Sequence, residues 1–91
     1  MPSVCRLTFP QGTDTDTIES HLALAIVAAE CIFGKPRVRI NAAYCLSQEK
    51  PQIAIDVSTE VGEHIAQVFT GLAMRELGEE AFTVERMTEV R

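Results

Sequence analysis

Residues 50–78 read KPQIAIDVSTEVGEHIAQVFTGLAMRELG, and this stretch decides the fold. Its first part alternates, because every second residue from 53 to 57 is apolar, and that period is typical of a half-buried strand. Ser58 or Thr59 can cap a following helix, since a hydroxyl there accepts a hydrogen bond from an early helical amide. Apolar residues then recur at helical spacing until Gly78, a residue type that commonly ends helices. The predicted buried stripe of this helix contains Val61, Ile65, Val68, Phe69 and Leu72.

The rest of the chain repeats this alternation of strands and helices. Residues 13–16 offer N-caps for a long helix, which Gly34 and Pro36 end. The predicted elements are strands at 4–9, 37–45, 53–57 and 81–87, and helices from about 16 to 33 and from about 60 to 77. In the last strand, Phe82 and Val84 are expected to point inward. The order is β-α-β-β-α-β without long linkers, which predicts a single domain over residues 1–91.

This order predicts an α+β protein built as a two-layer sandwich. Each half is one β-α-β unit, and right-handed crossovers place both helices on the same side of one sheet. Two topologies satisfy the order. The ferredoxin-like plait interleaves the strands of the two halves, whereas the other arrangement keeps the two parallel strands of each half adjacent. Periodicity does not separate them.

Composition excludes several classes of function. The chain has 13 acidic and eight basic residues and a formal charge of −5, which argues against nucleic acid and against a basic membrane-binding surface. Its longest apolar run, residues 22–29, is far shorter than the ~20 residues that a bilayer span needs. Three widely spaced cysteines and the lack of a signal-peptide pattern predict a cytoplasmic protein with free thiols. No spacing indicates a metal site or a cofactor; His21 and His64 are expected to be exposed.

The long first helix has apolar residues on two faces. One stripe is expected to face the sheet and contains Ile18, Leu22, Ala25, Ile26, Ala29, Ile32 and Phe33. Ala23, Leu24, Val27 and Cys31 lie on the opposite side of the helix. An apolar outer face on a small domain usually marks a subunit contact, so the sequence predicts a homo-oligomer.

Arginines are the most prominent candidates for binding. Arg6, Arg37 and Arg39 are expected on the open face of the sheet, where they either form cross-strand ion pairs with Asp56 and Glu85 or build a site for an anion. No aromatic residue is expected on this face, which argues against single-stranded RNA.

The chain begins Met1-Pro2, immediately before the first strand. Removal of Met1 would leave Pro2 with a secondary amine, and a desolvated amine can act as a base near neutral pH. With Met1 attached, the same nitrogen is an amide and has no basic lone pair. A catalytic role of Pro2 therefore depends on processing.

These features together resemble the tautomerase superfamily, particularly the group built like macrophage migration inhibitory factor. The resemblance rests on Met1-Pro2 before a strand, on Gly34-Lys35-Pro36 after a helix, and on a second β-α-β unit after Pro51. It implies adjacent parallel strands and a homotrimer. It also implies keto–enol tautomerisation, with Pro2 as the base and Lys35 as the cation that meets a small anionic substrate.

Arg6 and Arg39 are added as candidate substrate-binding residues on their chemistry alone. The alternative hypothesis is a non-catalytic oligomeric binding or interaction module of the same fold.

Overall fold

The computed structural model describes residues 3–47 and 49–88 and contains four strands and three helices within them. In chain order these are β1 (Ser3–Thr8), α1 (Thr15–Phe33), α2 (Lys35–Asn41), β2 (Tyr44–Leu46), β3 (Gln52–Asp56), α3 (Glu60–Leu77) and β4 (Thr83–Thr88). The coarse prediction of a small α+β domain with helices on a four-stranded sheet is confirmed. Within the described ranges no helix combines the length and apolar character of a membrane span.

The caps of the two long helices follow the predicted residues. Asp14 caps α1 by accepting a hydrogen bond from the amide of Asp16, at 3.0 Å. Thr59 caps α3 by accepting one from the amide of Gly62, also at 3.0 Å. Gly34 follows the last residue of α1 with φ at 87°, a conformation that an L side chain rarely adopts. Local sequence therefore sets both ends of α1.

The strand predicted at 37–45 is wrong for most of its length, because residues 35–41 form α2. Pro36 is tolerated in the first turn of a helix, where its missing amide hydrogen has no intrahelical partner. The apparent alternation placed Val38, Ile40, Ala42 and Tyr44 on one face, but of these four only Val38 is buried, and Ile40 is 82% exposed. One buried anchor fits a short helix as well as a strand. Only Tyr44 and Cys45 remain in a strand as predicted.

The sheet is entirely antiparallel in the order β2-β3-β1-β4. The strands of the two halves interleave, which is the strand order of the ferredoxin-like plait. The arrangement with adjacent parallel strands, implied by the resemblance to tautomerases, is wrong for this sheet. The physical reason is that β1 pairs with β3 on one side and β4 on the other, which leaves no edge of β1 for β2.

The core lies between the sheet and the helices. In the register of β1 with β3, Leu7 is opposite Ile53 and Cys5 is opposite Ile55, so all four side chains share the helix-covered face. From α3, the predicted Val61, Ile65 and Phe69 are fully buried, and the Phe69 ring contacts the Phe9 ring edge to face at 6.2 Å between centroids.

Val84 leaves the sheet on the predicted, helix-covered face, because its register partner is the buried Leu7, but it is 48% exposed since β4 is an edge strand. Two predictions of side-chain exposure are wrong. Ile32 was expected to face the sheet but is 61% exposed in the last turn of α1. His21 was expected in solvent but is buried, because it lies three residues after Ile18 and four before Ala25, on the buried face of α1. Phe82 is buried as predicted.

Candidate functional site

A cavity of about 390 Å³ lies between α1, α2 and the start of β2. This volume falls within the range of small-molecule sites in proteins. Its lining consists of Ile26, Glu30, Lys35, Val38, Arg39, Ala42 and Tyr44. The structure therefore brings together Lys35 and Arg39, two of the predicted substrate-binding residues.

Short helix α2 explains why these two cations share the cavity. Residues four apart in a helix lie on the same face, one turn from each other, and Lys35 and Arg39 have that spacing. Val38 is 3% exposed and anchors α2 to the core between them. Apolar atoms from Ile26 and Ala42 complete the lining around the charged groups.

Two lining residues were not predicted as part of a site. Tyr44 was predicted only as part of a longer strand, and it is 49% exposed where it lines the cavity. Glu30, on α1, is the one carboxylate among the described residues of the lining. A signal was available for Tyr44, since it is the only tyrosine in the chain. Glu30 had no sequence signal, because its position depends on how α1 packs against α2.

Neither cavity cation takes part in the ion pairs of the described residues. Those pairs join Arg6 to Glu85 at 3.2 Å and Arg37 to Glu60 at 3.5 Å between nitrogen and oxygen. Lys35 and Arg39 are both exposed, and the described residues of the lining carry these two positive charges and the one negative charge of Glu30. Such a lining attracts an anion.

Arg6 lies on the opposite face of the sheet and does not belong to the cavity. Its register partner on β4 is Glu85, and the guanidinium donates a hydrogen bond to that carboxylate. The prediction of a cross-strand ion pair is thus confirmed for Arg6. Such a pair stabilises a sheet by ~0.2–1 kcal/mol. The role of Arg6 visible here is structural.

Arg37 and Arg39 were expected on the open face of the sheet, and this placement is wrong because both lie on α2. The Arg37 guanidinium stacks over the Phe33 ring, 4.8 Å from its centroid, and pairs with Glu60 at the start of α3. Arg37 thereby connects α2 to both long helices, whereas Arg39 lines the cavity.

Asp56, the other carboxylate predicted to pair with an arginine, instead accepts hydrogen bonds from Ser58. The hydroxyl and the backbone amide of Ser58 hold the pKa of Asp56 below its usual value. In the described part of the chain, no group of three His, Cys, Asp or Glu side chains could hold a metal ion.

Pro2 lies outside the described residues, but its neighbour Ser3 begins β1. The carbonyl of Ser3 accepts a hydrogen bond from Val57, and the amide of Asp56 donates to Ala43 just before β2. The start of β1 and the start of β2 therefore lie at the same end of the sheet. Because β3 separates them, they are roughly 10 Å apart at the usual strand spacing.

The chain matches no protein-family model and no curated protein sequence.

Proposed function

We propose that this protein binds a small organic anion in the cavity between α1, α2 and β2. The observation that carries the proposal is the presence of Lys35 and Arg39 on one face of α2, in a cavity of about 390 Å³. A guanidinium offers a fork of donors to a carboxylate, and an ammonium adds a mobile point charge. The apolar atoms of Ile26, Val38 and Ala42 suit a short hydrocarbon or aromatic body. A keto acid or enol acid with an apolar side chain combines both properties.

Substitution of the two cations should weaken binding of phenylpyruvate. A hydrogen bond to a charged group contributes about 1.5–3 kcal/mol, so Arg39→Gln should raise Kd roughly 10- to 100-fold. Lys35→Gln should raise Kd less, because an ammonium offers a point charge and not the two parallel donors with which a guanidinium binds a carboxylate. Isothermal titration calorimetry at low salt measures both. Lys50→Gln, which removes an exposed lysine outside the cavity, is the matched control and should leave Kd unchanged.

The neutral ketone phenylacetone provides a second comparison in the same titration. It has a similar apolar body and no carboxylate, and it should bind at least tenfold more weakly. Equal binding of the ketone, or an unchanged Kd in Arg39→Gln, would contradict an anion site at this cavity.

A proline-based tautomerase is the second candidate. Its support is the Met1-Pro2 start together with the position of Ser3 at the end of the sheet where β2 begins. In this mechanism the free amine of Pro2 removes the proton alpha to the carbonyl of the bound keto acid. Lys35 or Arg39 stabilises the enolate oxygen, and the proton is returned to that oxygen to give the enol. The reverse sequence converts the enol to the keto acid, with one proton moving from the oxygen to the alpha carbon.

Turnover of phenylpyruvate enol by the Met1-processed protein tests this candidate. Pro2→Ala should lower turnover at least 100-fold while binding of the keto acid is retained, because a primary amine replaces the proline amine at the same position. Intact mass must first establish that Met1 is absent. Retention of Met1 in protein from its own host, or unchanged turnover in Pro2→Ala, would reject the proline mechanism while leaving anion binding intact.

We also propose that the protein self-associates, with a trimer as the expected size. Support comes from the outer face of α1, where Leu24 is 56% exposed and Val27 is 52% exposed in the single chain, with Ala23 and Cys31 exposed beside them. These residues follow each other at helical spacing, so they form one apolar strip rather than scattered positions.

A further inference from the structure

A second cavity, of about 360 Å³, lies at the opposite edge of the sheet, between α3 and β4. The residues that matter in its lining are Cys5, Glu63, Ala66, Gly71, Met74 and Arg86. Within residues 3–47 and 49–88, no residue lines both this cavity and the one that contains Lys35 and Arg39. The anion site proposed above therefore does not account for it.

Small residues on one side of α3 keep this cavity open. Ala66 and Gly71 lie on the helix face that lines it, and a Cβ atom built on Gly71 would meet no heavy atom within 4 Å. Strand β4 is the edge strand on this side, and all its residues are exposed. Met74 is 39% exposed and contributes a flexible apolar side chain to the lining.

The polar group that distinguishes this cavity is Arg86. Arg86 is the register partner of Cys5, so the two side chains leave the sheet on the same face, beneath α3. Burial raises the pKa of the Cys5 thiol, and the charge of Arg86 opposes that change to a lesser extent. The guanidinium is thus electrostatically coupled to the buried end of the cavity, while the ion pairs formed by residues 3–47 and 49–88 do not include it.

Among the residues that the structure describes, the other charged group in the lining is Glu63, in the first turn of α3. Glu63 and Arg86 do not form an ion pair with each other. One cation and one carboxylate disfavour a multiply charged ligand such as a phosphate ester. A monoanion with a long apolar body satisfies Arg86 and also covers the apolar atoms of Ala66, Gly71 and Met74.

We propose that this second cavity binds a free medium-chain alkyl carboxylate. The carboxylate pairs with Arg86, and the alkyl chain lies along α3 past Gly71 to Met74. The charge of Arg86 supplies the complementarity, and the missing side chain at Gly71 supplies the space.

Octanoate, below its micelle-forming concentration, is the probe. Its Kd and the shifts of backbone amide signals are measured by NMR titration of the full chain. We expect the largest shifts at Gly71 and Arg86. Octanamide, which lacks the charge, should bind at least tenfold more weakly. Each methylene removed from the probe should weaken binding about fourfold, which corresponds to ~0.8 kcal/mol.

Two variants test the two halves of the site. Gly71→Phe fills the cavity and Arg86→Gln removes the charge, and each should raise the Kd for octanoate at least tenfold. Glu63→Gln should lower Kd, because it removes the competing negative charge. Arg75→Gln, an exposed arginine of α3 outside the lining, is the matched control and should leave Kd unchanged. Circular dichroism establishes whether each variant is folded. If Gly71→Phe does not fold, Arg86→Gln still tests the site.

Three results would overturn the proposal: binding of octanamide as tight as that of octanoate, amide shifts confined to the cavity of Lys35 and Arg39, or an unchanged Kd in folded Arg86→Gln.

Discussion

Gly62→Ala is expected to lower the free energy of unfolding by about 3 kcal/mol or more, which is a large part of the 5–15 kcal/mol available to a domain of this kind. A Cβ atom on Gly62 would clash with the backbone carbonyl oxygen of Asp56 and lie 3.0 Å from its carbon and 3.2 Å from the Oγ of Thr59. Backbone atoms cannot rotate away as a side chain can. The start of α3 must therefore move off the end of β3, which also disturbs the hydrogen bond that caps the helix. Urea unfolding followed by circular dichroism measures the change.

Gly71→Ala in the same helix is the matched control and should act in the opposite direction. A Cβ atom there meets nothing, and alanine loses less backbone entropy on folding than glycine does. An exposed mid-helix replacement of this kind should raise the free energy of unfolding by ~0.5–1 kcal/mol. A neutral Gly62→Ala would contradict the close approach of α3 to Asp56.

In the proposed assembly through α1, the double variant Leu24→Glu, Val27→Glu is expected to leave a single 91-residue chain, with roughly a threefold fall in mass from a trimer. Two carboxylates in an apolar subunit contact would lose their hydration without gaining partners, which costs several kcal/mol per group. Both positions are more than half exposed in one chain, so the isolated fold should lose less than about 0.5 kcal/mol each. Light scattering over a range of concentrations measures the mass.

Val84→Glu is the matched control for this experiment. Val84 is 48% exposed, but it lies on β4, at the edge of the sheet and away from α1. It should leave the mass unchanged. If the unsubstituted protein is monomeric at all concentrations, the assembly is rejected. If Val84→Glu alone dissociates the protein, the subunit contact involves β4 and not α1.

Part of the candidate site was predictable from the sequence. Lys35 and Arg39 were both predicted as anion-binding residues, and the structure places them in one cavity. Arg6 was predicted with them and lies on the other face of the sheet, paired to Glu85. The difference arises because Arg6 has an opposite charge as its register partner, and register is a property of strand pairing rather than of local sequence.

The short helix α2 shows why the rest of the site could not be predicted. Over seven residues with one buried anchor, periods of 2 and 3.6 fit equally well, so the pattern could not tell a strand from a helix. Glu30 and Tyr44 joined the site only because α2 packs between α1 and the start of β2.

Local sequence by itself determined the features that depend on neighbouring residues. These are the alternating strands β1 and β3, the amphipathic α3 from its cap at Thr59 to its end before Gly78, and the end of α1 at Gly34. They follow from period, capping and backbone sterics, which act over a few residues. Tertiary structure alone decided the strand order β2-β3-β1-β4, the helical state of residues 35–41 and the partners of each charge. These depend on contacts between residues distant in the chain, where several arrangements bury the same apolar residues and packing selects among them.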